Sequence, residues 1–368
     1  LLRADTSLAA SSVVVLPVTS DAGAEYRQIG CRVEYWSQVE LVHPTLEPAN
    51  LVTLARDHSV GLRQVVKRLR ALRPRAVVSN TESLWLGGLA ARVLRLPHAQ
   101  IFHTVIFDYR WSHRPAMCRT YLTGLGHLST SFIAVSTAVA DMLERYGAPS
   151  AMITVVPNAF DIGRLHESSE RPLPAETARL LGGRPLLVSV GQLAEMKGQD
   201  ILFDAVAELR HDYPQVTCLV VGRRLSDKGV EDTVSYEQRL RAQVASLGLA
   251  GGVHFLDEVD YVPSLLAAAD VYVHPSRTES FSRVIAEAMA CGCPVVATDV
   301  GGIPEVAGPA ALLAPAGDAP KLAEQIRTVL TDTERRDALV EAGRRRISEN
   351  YDAVAVSRRF ADLLASLG

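Results

Sequence analysis

The sequence predicts an α/β protein with two doubly wound, parallel-sheet domains. The chain has 368 residues, which is too long for one ordinary hydrophobic core and suits two domains. Short runs of β-branched and aromatic residues, typical of strands, alternate along it with segments of helical periodicity. In folds with this alternation the strands are parallel, and ligands bind at their carboxyl ends.

Composition and charge exclude several other classes of protein. Hydrophobic residues make up 48% and charged residues 21%, which indicates a folded globular protein. The net charge of −3 provides no general attraction to nucleic acid. The sequence shows no apolar run long enough to span a membrane and no secretory signal at Leu1. Five cysteines without framework spacing indicate a reducing compartment, so we expect a cytoplasmic protein. We interpret Cys291 and Cys293 as small core residues and not metal ligands.

The first predicted domain covers residues 1–168. Its strands are predicted at residues 13–17, 31–36, 76–79, 99–103, 132–135 and 153–157. Its helices are predicted at residues 21–29, 50–72 and 84–94, and after Ser136, whose hydroxyl suits a helix N-cap. Residues 167–183 are rich in Pro, Ser, Glu and Gly, and we interpret them as the linker.

The second predicted domain covers residues 169–350. Its strands are predicted at residues 186–190, 216–222, 253–256, 270–274 and 295–297. Its helices are predicted from Gln199 and from Phe281, and at residues 236–247, 262–269, 321–330 and 332–349. The helix that starts near Phe281 is predicted to end at Gly292, which can take the left-handed C-cap conformation, and Pro294 cannot continue the helix. A terminal helix follows in residues 351–368.

Two carboxylates in the second domain have a spacing that suits a nucleotide sugar. Glu279 precedes a helix, and Glu287 lies about two turns inside it, roughly 10 Å further along. Free amides at a helix start favour an anion such as phosphate, and here they are predicted near Ser280, Phe281 and Ser282. A diphosphate could lie there, with a hydroxyl at each carboxylate. The spacing of Glu279, Arg283 and Glu287 equally suits an exposed ion-pair ladder.

This segment resembles the E-x7-E signature of the retaining GT-B glycosyltransferases of family 4. Residues 287–306, EAMACGCPVVATDVGGIPEV, agree with the downstream part of that signature. The resemblance implies a GT-B fold, in which two Rossmann-like domains face a central cleft and the terminal helix crosses back to the first domain. It also implies that Glu279 contacts the donor sugar and Glu287 the ribose hydroxyls.

Further segments agree with the same family. IAVSTAVADML and ITVVPNAFD resemble its exit from the first domain, although Ala159 stands where the family has Gly. In GQLAEMKG, Lys197 precedes a helix, a natural position for a cation that binds a diphosphate. The family's Arg five residues earlier is Gln192 here, so we expect Lys197 and backbone amides to hold the phosphates. The alternative is that Lys197 is an ordinary surface residue.

Three further residues are candidates on the donor side. Gly222 ends a strand, and its backbone is expected to lie against the nucleotide. Arg223 or Arg224 could neutralise phosphate, and surface roles suit them equally well. The loop at residues 257–260 resembles the base-contacting loop of the family.

The acceptor side is expected in the first domain. The resemblance places His103 close to the transferred sugar, where a neutral imidazole could bond a hydroxyl; the alternative is a core-edge histidine. Asp108, Arg110 and Trp111 follow in a predicted acceptor-side loop. The basic region 63–75 is either a peripheral contact with an anionic membrane or lipid-linked acceptor, or a solvated helix face. The family's first strand and glycine-rich loop are not recognisable, which indicates that an N-terminal segment is missing.

The resemblance implies a retaining glycosyltransferase, in which His103, Lys197 and Glu279 are catalytic. It would move a sugar from a nucleoside diphosphate sugar to a hydroxyl acceptor, without a metal or other cofactor. A glycan, a lipid-linked molecule or a small molecule could accept it, in cell-surface polysaccharide or glycoconjugate synthesis. One alternative is a GT-B sugar-nucleotide epimerase. The other is a non-catalytic nucleotide-sugar-binding protein, favoured by Gln192 and the missing loop. No G-x-G-x-x-G follows a strand, which argues against a dinucleotide oxidoreductase.

Overall fold

The computed structural model is an α/β protein with two compact units. It describes residues 1–37, 51–104, 115–182, 184–223 and 233–367. The first unit comprises Leu1–Ala159 and Ala353–Gly368, and the second unit is Phe160–Asp352. All paired strands among the described residues are parallel, so the predicted α/β class with parallel sheets is confirmed.

The first unit contains a two-stranded and a four-stranded sheet. The smaller sheet pairs β1 (Val13–Leu16) with β2 (Arg32–Tyr35). The larger has the order β3-β4-β5-β6, with β3 (Val77–Ser79), β4 (His98–Phe102), β5 (Ser131–Ala134) and β6 (Ile153–Val155). Because consecutive strands are parallel neighbours, helices must connect them, as the alternation predicted.

The helices of this unit include one that the sequence reasoning missed. They are α1 (Thr6–Ser11), α2 (Asp21–Gln28), α3 (Leu51–Leu72), α4 (Trp85–Leu94), α5 (Pro115–Leu128) and α6 (Thr137–Arg145). Ser136 caps α6, where its side chain accepts a hydrogen bond from Val139 N at 3.2 Å. The missed helix is α5, although its buried residues have helical spacing at Cys118, Tyr121, Leu122 and Leu125.

The second unit has one six-stranded parallel sheet. Its strands are β7 (Leu186–Val190), β8 (Thr217–Val221), β9 (Val253–Leu256), β10 (Val271–His274), β11 (Val295–Thr298) and β12 (Ala311–Ala314). The strand order is β12-β11-β10-β7-β8-β9. Successive strands along the chain are added on one side of β7 as far as β9, and on its other side from β10 onward. That reversal defines a doubly wound sheet, and the carboxyl ends of β7 and β10 form its switch point.

Helices follow nearly every strand of this sheet. They are α7 (Ile162–Ser169), α8 (Ala175–Leu180), α9 (Gln199–Leu209), α10 (Thr233–Ser246), α11 (Val262–Ala268), α12 (Arg283–Ala290), α13 (Ile303–Ala307), α14 (Ala319–Thr331) and α15 (Thr333–Asn350). Helices α9 and α14 pack together, and their apolar residues join those of the central strands in one buried cluster. Helices α7 and α12 both pack against α11.

The region predicted as a linker is folded into the second unit. It contains the end of α7 and all of α8. Thr177 of α8 is buried, and its hydroxyl lies 2.7 Å from the Tyr261 hydroxyl. Because α7 packs against α11, the division between units falls before α7, whereas the sequence placed it at the end of that helix. The last helix, α16 (Ala353–Ser366), belongs to the first unit, where Ser357 Oγ donates to Leu1 O at 2.9 Å.

Candidate active site

The switch point of the second unit brings two polar loops side by side. The loop after β7 contains a 3-10 turn, Glu195–Lys197, and ends where α9 begins. The loop after β10 contains Glu279 and leads into α12. Doubly wound sheets bind their ligands in the crevice between two such loops. The structure therefore places Lys197 and Glu279 at the position in this sheet that is best suited to a ligand.

Arg277 joins the two loops. Its backbone N donates to Met196 O at 2.8 Å, and its guanidinium donates to Glu195 O at 2.7 Å. The same guanidinium binds both carboxylate oxygens of Asp200, at 2.8 and 2.6 Å. Bidentate Arg–carboxylate pairs restrict geometry more than single bonds do. These contacts hold the Lys197 turn against the segment that precedes Glu279.

A glycine lets a third loop support Glu279 from the other side. Gly301 follows β11 and has a φ of +52°, a conformation that side chains rarely adopt. A Cβ atom at this position would lie 1.8 Å from Glu279 O. The next amide, Gly302 N, donates to the same oxygen at 3.0 Å. The Gly-Gly pair therefore allows the close backbone approach that fixes the Glu279 peptide.

The Glu279 carboxylate has three hydrogen-bond donors around it. Lys197 Nζ donates to Oε2 at 2.8 Å, and His274 Nε2 lies 3.1 Å from the same oxygen. The amide of Ser280 donates to Oε1 at 3.1 Å. The side chain of Glu279 is 12% exposed and that of Lys197 is 21% exposed. Lys197 is thus part of a half-buried ion pair and not an ordinary surface lysine.

The surroundings of Glu279 keep it ionised. Burial by itself would raise the pKa of its carboxyl, but the hydrogen bond from His274 and the charge of Lys197 outweigh burial and lower that pKa to about 2. An ionised carboxylate only accepts hydrogen bonds and has roughly four acceptor positions. Room therefore remains beside the three donors for a hydroxyl of a ligand.

His274 is a site residue that the sequence reasoning missed. It ends β10, and its side chain is 5% exposed. Its Nδ1 lies 2.8 Å from the Tyr272 hydroxyl, so the imidazole bridges Tyr272 and Glu279. Burial lowers the pKa of His274, even though its contact with Glu279 acts in the opposite direction. The available signal was a polar residue at the carboxyl end of an apolar strand, five residues before Glu279.

Glu287 lies on α12 in a half-buried position. Its side chain is 20% exposed, and Arg283 NH2 lies 3.9 Å from its carboxylate. Burial raises the pKa of Glu287, and the charge of Arg283 partly opposes that rise. Within the described residues Glu279 pairs with Lys197 instead of Arg283. The charges therefore do not form the exposed ladder that the spacing also allowed.

The start of α12 differs from the expectation. The helix begins at Arg283, and Ser282 is its N-cap, whose side chain accepts from Ile285 N at 3.4 Å. Ser280, Phe281 and Ser282 therefore precede the helix. Because a capping hydroxyl satisfies one of the first amides, the remaining free amides of the first turn are those of Arg283 and Val284. The free amides at the start of the helix thus lie further along the chain than predicted.

Phe281 belongs to an aromatic cluster of the second unit. Its ring stacks on Phe160 at 6.3 Å between centroids and meets Tyr351 edge-on at 5.6 Å. The side chain of Phe281 is buried, which leaves the predicted role of its backbone amide a prediction. Its packing anchors the loop between Glu279 and the start of α12.

The other predicted donor-side residues lie around the end of β7 and β8. Gln192 is exposed, and its carbonyl accepts from Gln199 Nε2 at 2.8 Å. A Cβ atom on Gly222 would lie 1.9 Å from Gly191 O, so this glycine permits two strand ends to approach. Arg223 is exposed and pairs with Glu258 at 3.4 Å, in the predicted base-contacting loop. Arg224 lies outside the described residues.

His103 lies at the carboxyl end of β4 in the first unit. Its Nε2 is 3.0 Å from Asn80 O and 3.2 Å from Asn80 Oδ1. A backbone carbonyl only accepts, so Nε2 carries the hydrogen and Nδ1 is an acceptor in the neutral ring. The predicted acceptor-side residues that follow it, Asp108, Arg110 and Trp111, lie outside the described residues.

A buried carboxylate beneath His103 was not predicted. Glu82 is 6% exposed and follows β3. Its Oε1 accepts from Thr104 Oγ1 at 2.8 Å, and its Oε2 faces His103 N at 3.4 Å. Glu82 therefore holds the turn that carries His103. Its position after a strand was the only local signal, because the residues of the turn that it holds, His103 and Thr104, lie more than twenty residues away along the chain.

The basic region 63–75 forms an exposed surface at the end of α3. Its cationic residues, all exposed, are Arg63, Lys67, Arg68, Arg70, Arg73 and Arg75. Arg68 also lies over the Trp36 ring, 5.3 Å from its centroid. This exposure suits both a solvated face and contact with anions. None of the described helices is both long and apolar enough to cross a membrane.

Two family models match successive parts of the chain. The model described as Glycosyltransferase Family 4 matches residues 11–164. The model described as Glycosyl transferases group 1 matches residues 176–346. The second match includes the whole switch-point site of the second unit, and the first includes His103 and Glu82.

The chain is also similar in sequence to two named proteins. The chain is 29% identical over 309 residues to a GDP-mannose-dependent α-(1-6)-phosphatidylinositol monomannoside mannosyltransferase of Mycolicibacterium smegmatis, with 78% of this chain and 77% of that protein covered. It is 31% identical over 287 residues to a D-inositol 3-phosphate glycosyltransferase of Corynebacterium urealyticum, with 70% and 64% covered.

A solved structure has a similar fold over the full chain. The crystal structure of Anabaena HepE in complex with UDP-glucose matches with a TM-score of 0.80 and 25% sequence identity. The match covers 100% of this chain and 94% of HepE.

Proposed function

This chain belongs to the GT-B glycosyltransferases of family 4, and on that premise we propose which reaction it catalyses. It transfers a sugar from a nucleoside diphosphate sugar to a hydroxyl acceptor, with retention of configuration at the anomeric carbon. The observation that carries this proposal is the Lys197–Glu279 pair at the switch point, 2.8 Å apart and next to the start of α12.

The charges of the site suit the three parts of such a donor. The diphosphate lies between Lys197 and the free amides of Arg283 and Val284, because both supply positive potential. A sugar hydroxyl donates to Glu279, and a ribose hydroxyl donates to Glu287. Lys197 pairs with Glu279 and thereby offsets the repulsion between that carboxylate and the diphosphate.

The reaction breaks one bond at the anomeric carbon and forms another on the same face. The bond to the diphosphate oxygen breaks, which leaves an oxocarbenium-like sugar and growing negative charge on the leaving group. Lys197 and the helix amides stabilise that charge, so the scheme requires no metal ion. The acceptor oxygen bonds the anomeric carbon and transfers its proton to an oxygen of the leaving phosphate.

His103 is the proposed group for a sugar or acceptor hydroxyl in the first unit. Its Nε2–H faces two oxygens of Asn80, which leaves Nδ1 to accept a hydrogen bond. The exposed basic region 63–75 supports an anionic or lipid-linked acceptor and a peripheral contact with an anionic membrane surface. We propose a role in cell-surface polysaccharide or glycoconjugate synthesis, with a peripheral contact at the inner face of the membrane.

The names of the relatives restrict the donors to test. One relative is GDP-mannose-dependent, and HepE was crystallised with UDP-glucose. We therefore propose incubation with GDP-mannose, UDP-glucose and ADP-glucose, each with and without a phosphatidylinositol mannoside or an inositol phosphate. Nucleoside diphosphate release and the mass of the product report transfer, and NMR of the product reports its anomeric configuration.

The outcomes separate this proposal from its two alternatives. Acceptor-dependent release with a retained anomeric configuration supports it. Conversion of the sugar nucleotide without acceptor would indicate an epimerase, and binding without turnover would indicate a non-catalytic protein. Glu279→Gln should lower transfer, and Glu324→Gln is its matched control, because Glu324 is an exposed glutamate that pairs with Lys321 on α14.

A further inference from the structure

We propose that His274 and Tyr272 are positioning residues, which hold the Glu279 carboxylate in the orientation that receives a donor-sugar hydroxyl. The inference rests on the proposed function of the same site. Both residues belong to β10, and they act on the substrate through Glu279.

The hydrogen bonds determine the tautomer of His274. Its Nε2 lies 3.1 Å from Glu279 Oε2 and its Nδ1 lies 2.8 Å from the Tyr272 hydroxyl. Burial favours the neutral imidazole, which has one N–H. A carboxylate can only accept, so that N–H is on Nε2 and points at Glu279. Tyr272, fully buried and protonated, then donates to Nδ1 at 2.8 Å, a much shorter distance than the 3.5 Å to its other acceptor, Val190 O.

The opposite tautomer is disfavoured by the same distances. Ser276 Oγ also lies 3.1 Å from Nε2 and could donate to it if Nδ1 carried the hydrogen. The lone pair of Nε2 would then face Glu279 Oε2 at 3.1 Å, with no hydrogen between them. Repulsion between two acceptors at that distance selects the Nε2–H form.

The imidazole is the rigid partner of Glu279. It stands at the end of a central strand, where Thr298 Oγ1 donates to Ser276 O at 2.6 Å and lies 3.4 Å from His274 O. The other side-chain partner, Lys197, has a long and flexible stem. Without His274, Lys197 would be the only side chain among the described residues that holds the carboxylate, and it would have to serve both the carboxylate and the phosphate. The strand-anchored hydrogen bond therefore leaves Lys197 able to respond to the diphosphate.

Two substitutions of His274 test the role of its Nε2–H. In His274→Gln the amide nitrogen reaches the position of Nε2 and preserves the donor, whereas in His274→Asn the shorter amide reaches only the position of Nδ1. With the full chain, we would measure dissociation constants for UDP, UDP-glucose, GDP and GDP-mannose, and kcat with the active donor. The dissociation constant of the nucleoside diphosphate, divided by that of the nucleotide sugar, isolates the contribution of the sugar to binding.

The expected effects differ between the variants. His274→Asn should lower that ratio and kcat by about 10- to 100-fold, the range for one charge-assisted hydrogen bond, with nucleoside diphosphate affinity within about twofold of wild type. His274→Gln should retain most of both quantities. Tyr272→Phe should lower kcat by about 3- to 10-fold. This change removes the hydrogen bond to Nδ1 that favours the Nε2–H tautomer of His274, while the imidazole can still donate to Glu279.

Two controls make the result decisive. Val273→Ala alters a buried neighbour on the same strand, whose side chain packs in the apolar cluster on the opposite face from His274, so it should destabilise the fold and leave the ratio unchanged. In Glu279→Gln, a further His274→Asn change should have no additional effect on the ratio, because both act through one carboxylate. Additive losses of the ratio in the double variant, or an equal loss in Val273→Ala, would overturn the positioning role. In that case, transfer by the wild-type chain would still support the proposed function. A wild-type chain that neither binds nor uses these donors would overturn both.

Discussion

The two units each place an imidazole and a buried carboxylate at the carboxyl ends of parallel strands, but they connect them differently. In the second unit, His274 Nε2 lies 3.1 Å from the Glu279 carboxylate, and Lys197 completes a charged cluster. In the first unit, the Glu82 carboxylate faces the backbone N of His103 at 3.4 Å, and the imidazole points elsewhere.

This difference shows two ways to use a buried carboxylate. Glu279 is held by side chains and retains acceptor capacity, so it can bind a ligand directly. Glu82 accepts from Thr104 and from backbone, so its charge stabilises the turn that carries the histidine. We interpret the second unit as the preorganised donor site and the first as a frame for acceptor groups. The following predictions test that contrast, from the largest expected effect to the smallest.

Removal of Lys197 should have the largest effect on turnover. Lys197→Ala should raise the activation barrier by about 3–4 kcal/mol, the scale of one lost preorganised donor at a developing charge. Because that charge grows in the transition state, kcat should fall more than nucleoside diphosphate affinity. Steady-state kinetics and calorimetry measure the two. Lys321→Ala is the exposed control, and full activity in Lys197→Ala would show that the phosphate lies elsewhere.

Gln192→Arg tests the same phosphate contact, because it restores the Arg that the family has at this position. It should tighten nucleoside diphosphate binding and partly rescue Lys197→Ala, because both cations would address one phosphate. A double-mutant cycle on kcat measures the coupling. Strict additivity would mean that the two positions do not share a ligand group.

Acid should weaken the stabilisation that the donor site provides. The pKa of Glu279 is about 2 in the folded chain and ordinarily 4.5. Because the folded pKa is depressed, the stabilisation is complete above pH 4.5 and is lost as the pH falls through 2. The difference in unfolding free energy between wild type and Glu279→Gln should shrink by about 3 kcal/mol between roughly pH 5 and pH 2. Within the part of the chain that the structure describes, Lys197 and His274 are the charged or titratable groups that contact this carboxylate.

Urea unfolding at each pH measures this effect. Glu324→Gln, at an exposed pair, should show no comparable pH dependence relative to wild type. A constant difference between wild type and Glu279→Gln across this range would contradict an ionised, strongly stabilised Glu279.

Loss of the Glu287 charge should weaken nucleotide binding. Glu287→Gln keeps the shape of the side chain but removes a charged acceptor, so nucleoside diphosphate affinity should fall by about 1.5–3 kcal/mol. The fold should survive, because the pKa of this carboxyl is raised by burial and its neutral replacement is tolerated. Calorimetry measures the affinity, and an unchanged value would remove Glu287 from the ribose position.

The smallest effect on the donor site is expected from Glu82→Gln in the first unit. Its Oε1 can still accept from Thr104, but its amide cannot accept from His103 N, so unfolding free energy should fall by about 1 kcal/mol. Nucleoside diphosphate affinity should remain unchanged because the donor groups lie in the second unit. Denaturant unfolding and calorimetry measure the two, and a large loss of nucleotide affinity would contradict the contrast between the units.

Local patterns in the sequence were sufficient for most elements of the fold. The strands that became β7 and β8 and the helix that starts at Gln199 follow from apolar runs and periodicity within a few residues. The positions of Glu279 and Glu287 around a helix start were also visible in their spacing. The helix itself begins later than predicted, because Ser282 caps it and its capping bond depends on the backbone that Gly301 and Gly302 support.

The sequence by itself therefore determined the α/β class, the strand and helix alternation, and the residue types at each loop. Only the tertiary structure decided which loops meet. Lys197 and Glu279 are 82 residues apart and come into contact because β7 and β10 are neighbours in a strand order that no local periodicity encodes. The orientation of His274 and the packing of Thr177 against Tyr261 arise in the same way. Periodicity reports which face of an element is buried, whereas the partner it is buried against depends on the topology of the whole sheet.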